Sequence, residues 1–120
     1  MLTVLIVESE RGLRETAETV LGVAGYRTFA AAQADEALAV LREHPEIDLL
    51  FTDIAMPEGL NGFQVAEAAR ALRPGLKVLF TTGYAGMPDT ASPADWRDRL
   101  IRKPYRRLDL AEKIRTALSC

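Results

Sequence analysis

Apolar residues fall along the chain in two alternating rhythms. Thr3-Val4-Leu5-Ile6-Val7, Leu49-Leu50-Phe51 and Leu76-Lys77-Val78-Leu79-Phe80 are short, nearly continuous apolar runs, as expected of parallel strands covered on both faces. Between them, apolar positions recur at helical spacing: Leu13, Ala17, Val20, Leu21 and Ala24 in one stretch, then Ala37, Leu38 and Leu41 between Asp35 and Glu43. Val65, Ala66, Ala69 and Leu72 mark a third helix, and Leu108, Ala111, Ile114 and Leu118 a final one. Gly25, His44-Pro45 and Pro74-Gly75 stop the first three, because glycine permits a left-handed turn and proline disfavours helix before it. Tyr26 to Ala30 alternates weakly, like an edge strand, and Leu100-Ile101-Arg102 makes a brief fifth strand. Between Tyr84 and Arg99 the pattern fades, and any helix there is short, capped by Ser92 with Pro93 at its first position.

Strands alternating with helices predict an α/β three-layer sandwich, since parallel neighbours need crossover helices. The flavodoxin-like order 2-1-3-4-5 follows: it puts the weak second strand at an edge and the apolar first and third side by side. That order gathers the polar residues at the strands' carboxyl ends. Asp53 ends the third strand before Met56-Pro57, Glu8-Ser9-Glu10 follow the first, and Thr82 and Lys103 come from the next two strand ends.

At 120 residues and 48% hydrophobic, the chain has the size of one ordinary domain, and residues 1–120 are expected to form it. Fifteen Lys and Arg against 17 Asp and Glu leave a net charge of -2, which argues against a nucleic-acid partner. The sole cysteine, Cys120, allows no internal disulfide or thiolate metal site, and fits a reducing cytoplasm. No apolar run approaches the roughly 20 residues of a membrane span, and Met1-Leu2-Thr3 lacks a signal peptide's basic start. The expectation is a cytoplasmic chain with no membrane partner.

Acids gathered at one sheet edge repel each other, which raises a pKa or attracts a cation, and oxygen ligands with water suit Mg²⁺. A carboxylate nucleophile, a hydroxyl and a lysine are also what phosphoryl transfer uses to position and neutralise the transferred group. Plainer roles exist for each: Asp53 capping a turn, Glu8 facing a helix dipole, Ser9 as an N-cap, Lys103-Pro104 as a simple turn. His44 reads as structural and exposed, and Trp96 as packing its own loop. No strand-to-helix turn carries a nucleotide fingerprint.

Taken in order, the acids after the first strand, Asp53 with Met56-Pro57 and Asn61-Gly62, Thr82-Gly83-Tyr84, and Lys103-Pro104 resemble a bacterial response-regulator receiver domain over essentially the whole chain. The resemblance implies that Asp53 is the phosphoacceptor, taking a phosphoryl group from a sensor histidine kinase or a histidine phosphotransfer protein with Mg²⁺ present. It implies that Thr82 is the switch hydroxyl, that Lys103 is the site lysine, and that Ala55 offers a backbone carbonyl to the metal beside Glu8 and Asp53. It further implies that the first helix meets the phosphodonor. A downstream protein of unknown identity would read the face of the fifth strand, the last helix and the region before them. Such a domain is regulatory, not an enzyme in the ordinary sense, although it assists its own phosphorylation and dephosphorylation.

Three departures stand out. Ser9 occupies the position whose carboxylate normally touches the metal, with Glu8 the better substitute and Glu10 the poorer. Leu100 stands where an aromatic switch residue is usual, with Tyr84 as an alternative aromatic. The loop after Asp53 carries one extra residue at Glu58-Gly59-Leu60. Ser9 opens a second reading, a pseudo-receiver that binds partners without phosphorylation; a flavodoxin-like cofactor carrier has no sequence support. The chain suits a stand-alone regulator or the terminal receiver of a hybrid kinase.

Overall fold

The computed structural model describes residues 2–55, 60–83 and 99–119. In chain order these form β1 (Thr3–Val7), α1 (Arg11–Val23), β2 (Arg27–Ala31), α2 (Ala34–Glu43), β3 (Leu49–Asp53), α3 (Gly62–Leu72), β4 (Lys77–Thr82), β5 (Leu100–Arg102) and α4 (Arg107–Ser119). The sheet runs β2-β1-β3-β4-β5 with every pair parallel, the order that the apolar patterning predicts.

Strand alternation divides the core in two. Val4, Ile6, Leu49, Phe51, Leu79 and Ile101 pack with Ala17 and Leu21 of α1 and Leu110 and Ile114 of α4. Leu5, Val7, Leu50, Val78 and Phe80 pack with Ala37 and Leu41 of α2 and Val65 and Ala69 of α3. Both faces of β1 and β3 are therefore buried throughout, which explains sequences without alternation. At the edge, β2 is partly exposed and blunted by charge. Its Phe29 stacks on His44 with ring centroids 4.1 Å apart, and the Arg27 guanidinium lies 5.2 Å from the Phe29 ring. His44 is thereby half-buried, with Nδ1 3.3 Å from Glu46 Oε2, where the sequence suggests plain exposure.

Local chemistry moves several boundaries. β4 continues through Thr82 because Thr81 and Thr82 pair with Ile101 and Arg102, and β-branched threonines tolerate extended backbone. Glu10, not Ser9, holds the N-cap position of α1, with no side-chain capping bond: the Glu10 N–H donates to Glu8 Oε2 at 3.1 Å, keeping the chain extended one residue longer. α3 starts at Gly62, ahead of Val65, because Asn61 forms a reciprocal cap with Gln64, each side-chain oxygen accepting the other's backbone N–H at 2.9 Å. Gly25, at φ 98, takes the left-handed turn that closes α1, and β2 begins only at Arg27. The extra loop residue at 58–60, Tyr84, Trp96 and the short helix expected at Ser92-Pro93 lie wholly or partly outside the described residues. Among the described residues no helix is long and apolar enough to cross a membrane.

Candidate functional site

The site grows out of one face of the sheet. Ile6, Phe51, Leu79 and Ile101 all belong to the core against α1 and α4, and two residues further on each strand reaches its carboxyl end on the same face. Those next positions are Glu8, Asp53, Thr81 and Lys103. Strand periodicity thus delivers four polar side chains to one edge, immediately above an apolar floor.

Lys103 Nζ lies 2.5 Å from Glu8 Oε1 and 3.1 Å from Asp53 Oδ2, with side-chain exposures of only 17%, 6% and 8% respectively. Thr82 ends β4 and is buried, and its carbonyl accepts the Lys103 N–H at 2.9 Å, anchoring the lysine's backbone. Ser9 and Ala55 are half-buried beside this group. Glu10 is exposed and curls over the first turn of α1, where a Cβ on Gly12 would lie 3.1 Å from its Oε1.

Two acids and one lysine leave a residual negative charge in a place largely removed from water. Burial, and then the Glu8 charge, push the Asp53 carboxyl up to about 6 from 3.8, against the opposing pull of Lys103. Burial by itself would lower Lys103, but its bond to Glu8 and the charges of Asp53 and Glu8 outweigh that and hold it above its ordinary value. The Tyr105 hydroxyl is likewise raised, by burial and then by Glu8.

The Asp53 shift has a consequence for stability. Between 3.8 and about 6 the folded chain holds a proton that the unfolded chain has lost, so stability falls as pH rises through that window. Asp53→Asn should therefore be more stable than wild type at pH 8, by on the order of 1–2 kcal/mol, and the gain should vanish near pH 3. Urea unfolding at the two pH values measures it; a variant less stable at pH 8 would mean that attraction to Lys103 outweighs desolvation.

The donor set fits a hard divalent cation. Glu8 and Asp53 carboxylates and the Ala55 carbonyl would hold it, and the uncompensated charge favours it, with water filling the remaining positions. Ser9 makes this set one carboxylate poorer, and among the described residues no cluster of three His, Cys, Asp or Glu side chains forms.

Three contributors escape a reading of the strand-end motifs. Arg14 donates from Nη1 to the Glu8 carbonyl at 2.9 Å and the Ser9 carbonyl at 3.5 Å, fastening the loop that carries Glu8. Its only signal is a basic residue within a turn of the acids. Tyr105 packs edge-on against Phe51 at 6.1 Å, closing the floor beneath Asp53. Thr81 precedes the strand-end Thr82 and is buried within β4, with no signal in the sequence to single it out.

This geometry matches known proteins along the whole chain. A family profile described as "Response regulator receiver domain" matches residues 4–115. The response regulator receiver protein CpdR of Brucella abortus (strain 2308) is 33% identical over 121 residues, covering 98% of both chains. The sensor kinase CckA of the same organism is 32% identical over 118 residues, 97% of this chain but 12% of that protein. Among solved structures, a CheY-like receiver domain protein from Methanospirillum hungatei JF-1 superposes with a TM-score of 0.84 at 31% identity, covering 99% of this chain and 94% of that one. A sheet edge with Glu8, Asp53 and Lys103 in contact, together with a family match from one end of the sheet to the other, leads to one conclusion: the chain belongs to the response regulator receiver domain family of two-component signalling.

Proposed function

We propose that Asp53 accepts a phosphoryl group from a phosphohistidine, in a Mg²⁺-dependent reaction, and that the resulting change in charge alters a protein-binding face. The observation that carries this reading is the Asp53 carboxylate held at a strand end by Lys103 at 3.1 Å, beside Glu8 and under little solvent. An Asp53 oxygen attacks phosphorus, and the P–N bond to the donor imidazole breaks. Its electron pair stays on the imidazole nitrogen, which is then protonated, and Asp53 becomes an acyl phosphate. With a carboxyl that titrates at about 6, Asp53 is ionised at neutral pH yet more basic than an ordinary aspartate.

Lys103, pivoting between Glu8 and Asp53, can follow the negative charge onto the phosphoryl oxygens, and the Thr82 hydroxyl is the neighbouring donor that would turn inward with it. When bound by Glu8, Asp53 and the Ala55 carbonyl, Mg²⁺ supplies charge neutralisation at the transferred group. The domain, taken as residues 1–120, would act in the cytoplasm on the output of a sensor histidine kinase or histidine phosphotransfer protein docking near α1. Its readout face would include the shallow 440 Å³ cleft between β5 and α4, lined by Leu100, Arg102, Tyr105, Glu112 and Lys113. A downstream protein senses phosphorylation only through its different affinity for the two conformations.

Ser9 favours a second reading, in which the fold binds partners without phosphorylation because the metal is held too weakly. Intact mass after incubation with acetyl phosphate, with and without Mg²⁺, separates the two. The expected result is a Mg²⁺-dependent adduct on wild type that Asp53→Ala abolishes. No adduct on wild type, with one gained in Ser9→Asp, would establish the pseudo-receiver instead.

A further inference from the structure

A buried hydroxyl stands directly against the phosphoacceptor and has nothing to bond. Thr81 is 2% exposed, and among the described residues its Oγ1 is the one buried side-chain polar atom without a hydrogen-bond partner. Buried hydroxyls are nearly always paired, because the water they give up must be replaced. In most cores a threonine at this point would gain by becoming valine.

The position of Thr81 explains why it need not. Thr81 is the register partner of Asp53 across β3 and β4, and of Ile101 across β4 and β5. Both Thr81 and Asp53 continue the face defined by Leu79 and Phe51, so their side chains are adjacent across strands about 4.8 Å apart. Rotation of a threonine between staggered wells sweeps its hydroxyl through roughly that neighbouring space. Lys103 approaches Asp53 from the β5 side, and Glu8 from β1. Thr81 comes from the strand between Asp53 and Lys103, level with Asp53 and two residues short of Lys103 in register.

We infer that Thr81 is a positioning residue for the Asp53 nucleophile, its hydroxyl donating a hydrogen bond to the Asp53 carboxylate once Lys103 is drawn off toward an incoming phosphoryl group. This rests on Asp53 being the phosphoacceptor. When Lys103 shifts its charge outward, the carboxylate oxygen it had held loses a donor inside a site that water scarcely reaches. The Thr81 hydroxyl replaces that donor without adding charge, so the attacking oxygen keeps its orientation while the lysine serves the group being transferred. A hydroxyl idle in the resting site is what such a relay requires.

The test compares Thr81→Val, which keeps the shape and removes the hydroxyl, with Thr81→Ser, which keeps the hydroxyl. Rates of Mg²⁺-dependent adduct formation from acetyl phosphate should fall about tenfold in Thr81→Val and recover to within about twofold of wild type in Thr81→Ser, as expected for one hydrogen bond to a charged group. A second readout needs no phosphorylation: with aspartate labelled at its carboxyl carbon, the Asp53 resonance of a Lys103→Met background should move on Thr81→Val and stay on Thr81→Ser, since that background removes the Lys103 donor and keeps the Thr81 hydroxyl in register with the carboxylate. Should Thr81→Val unfold at higher urea while matching wild type in rate and leaving the Asp53 resonance in place, Thr81 is only an unsatisfied core hydroxyl and the inference is overturned. If wild type forms no adduct at all, the phosphoacceptor reading fails by itself, and an unmoved resonance would then also end the role given to Thr81.

Discussion

Lys103→Met is expected to cost about 2–4 kcal/mol of stability at pH 8 and much less at pH 5, and to abolish efficient phosphoryl uptake. Among the described residues, the side chain removed is the one cation in contact with both Glu8 and Asp53, at 2.5 and 3.1 Å. Two largely buried carboxylates then face each other without compensation, and removing one partner of a buried ion pair is far more costly than removing an exposed one. The pH dependence follows from Asp53. Its carboxyl is raised by burial and by Glu8 even with Lys103 present, and without Lys103 it rises above the wild-type value of about 6. At pH 5 the folded variant simply keeps that proton, and little is lost. At pH 8 the proton must be given up in a poorly solvated place, so the variant's stability declines over a window that extends beyond that of wild type. Urea midpoints for both proteins from pH 5 to 8 measure this, and parallel curves would mean that solvent, not Lys103, neutralises the acids.

Gly62 is the second position of large expected effect. A Cβ there would lie 2.7 Å from Ile54 Cα and 2.9 Å from the Asp53 carbonyl carbon, and closer still to the Asp53 carbonyl oxygen. All three obstacles are backbone, so no side-chain rotation relieves the overlap. The same glycine donates its N–H to the Ile54 carbonyl at 2.8 Å, tying the start of α3 to the end of β3. Gly62→Val should destabilise the fold by about 3 kcal/mol or more, and Gly62→Ala by less, through displacement of backbone at Asp53 and Ile54. Phosphoryl uptake by Gly62→Ala should fall even where the protein remains folded, because the strand end bearing Asp53 must move. An unchanged urea midpoint for Gly62→Ala would show that the α3 start yields instead.

Much of this architecture is written locally. The apolar runs of β1 and β3 carry no alternation because both faces are covered, and the helical stripes of α1 to α4 point at one of those two cores. Asp53, Glu8, Thr82 and Lys103 stand out because charge or hydroxyl appears where an apolar strand ends. What local pattern misread were boundaries decided by distant pairing. Tyr26 looks like the start of the second strand, but pairing with β1 begins only at Arg27, opposite Thr3. Ser9 has the chemistry of an N-cap, yet Glu10 takes that place because the Glu8 side chain turns back onto the Glu10 N–H. His44 looks exposed beside Pro45, and is half-buried because Phe29 of the edge strand stacks on it.

By itself, then, the sequence determined the order of strands and helices, which strand is the edge, and which polar residues end on the sheet's chemical side. Those follow from periodicity, and periodicity is a property of neighbours in the chain. Only the tertiary structure decided that Lys103 bridges two acids, that burial outweighs that lysine in setting the Asp53 carboxyl, and that the buried Thr81 hydroxyl, in register with Asp53, is left without a partner among the described residues. These depend on distances between strands remote in sequence and on how little water reaches between them, and both arise only when the sheet and its two helical layers have closed.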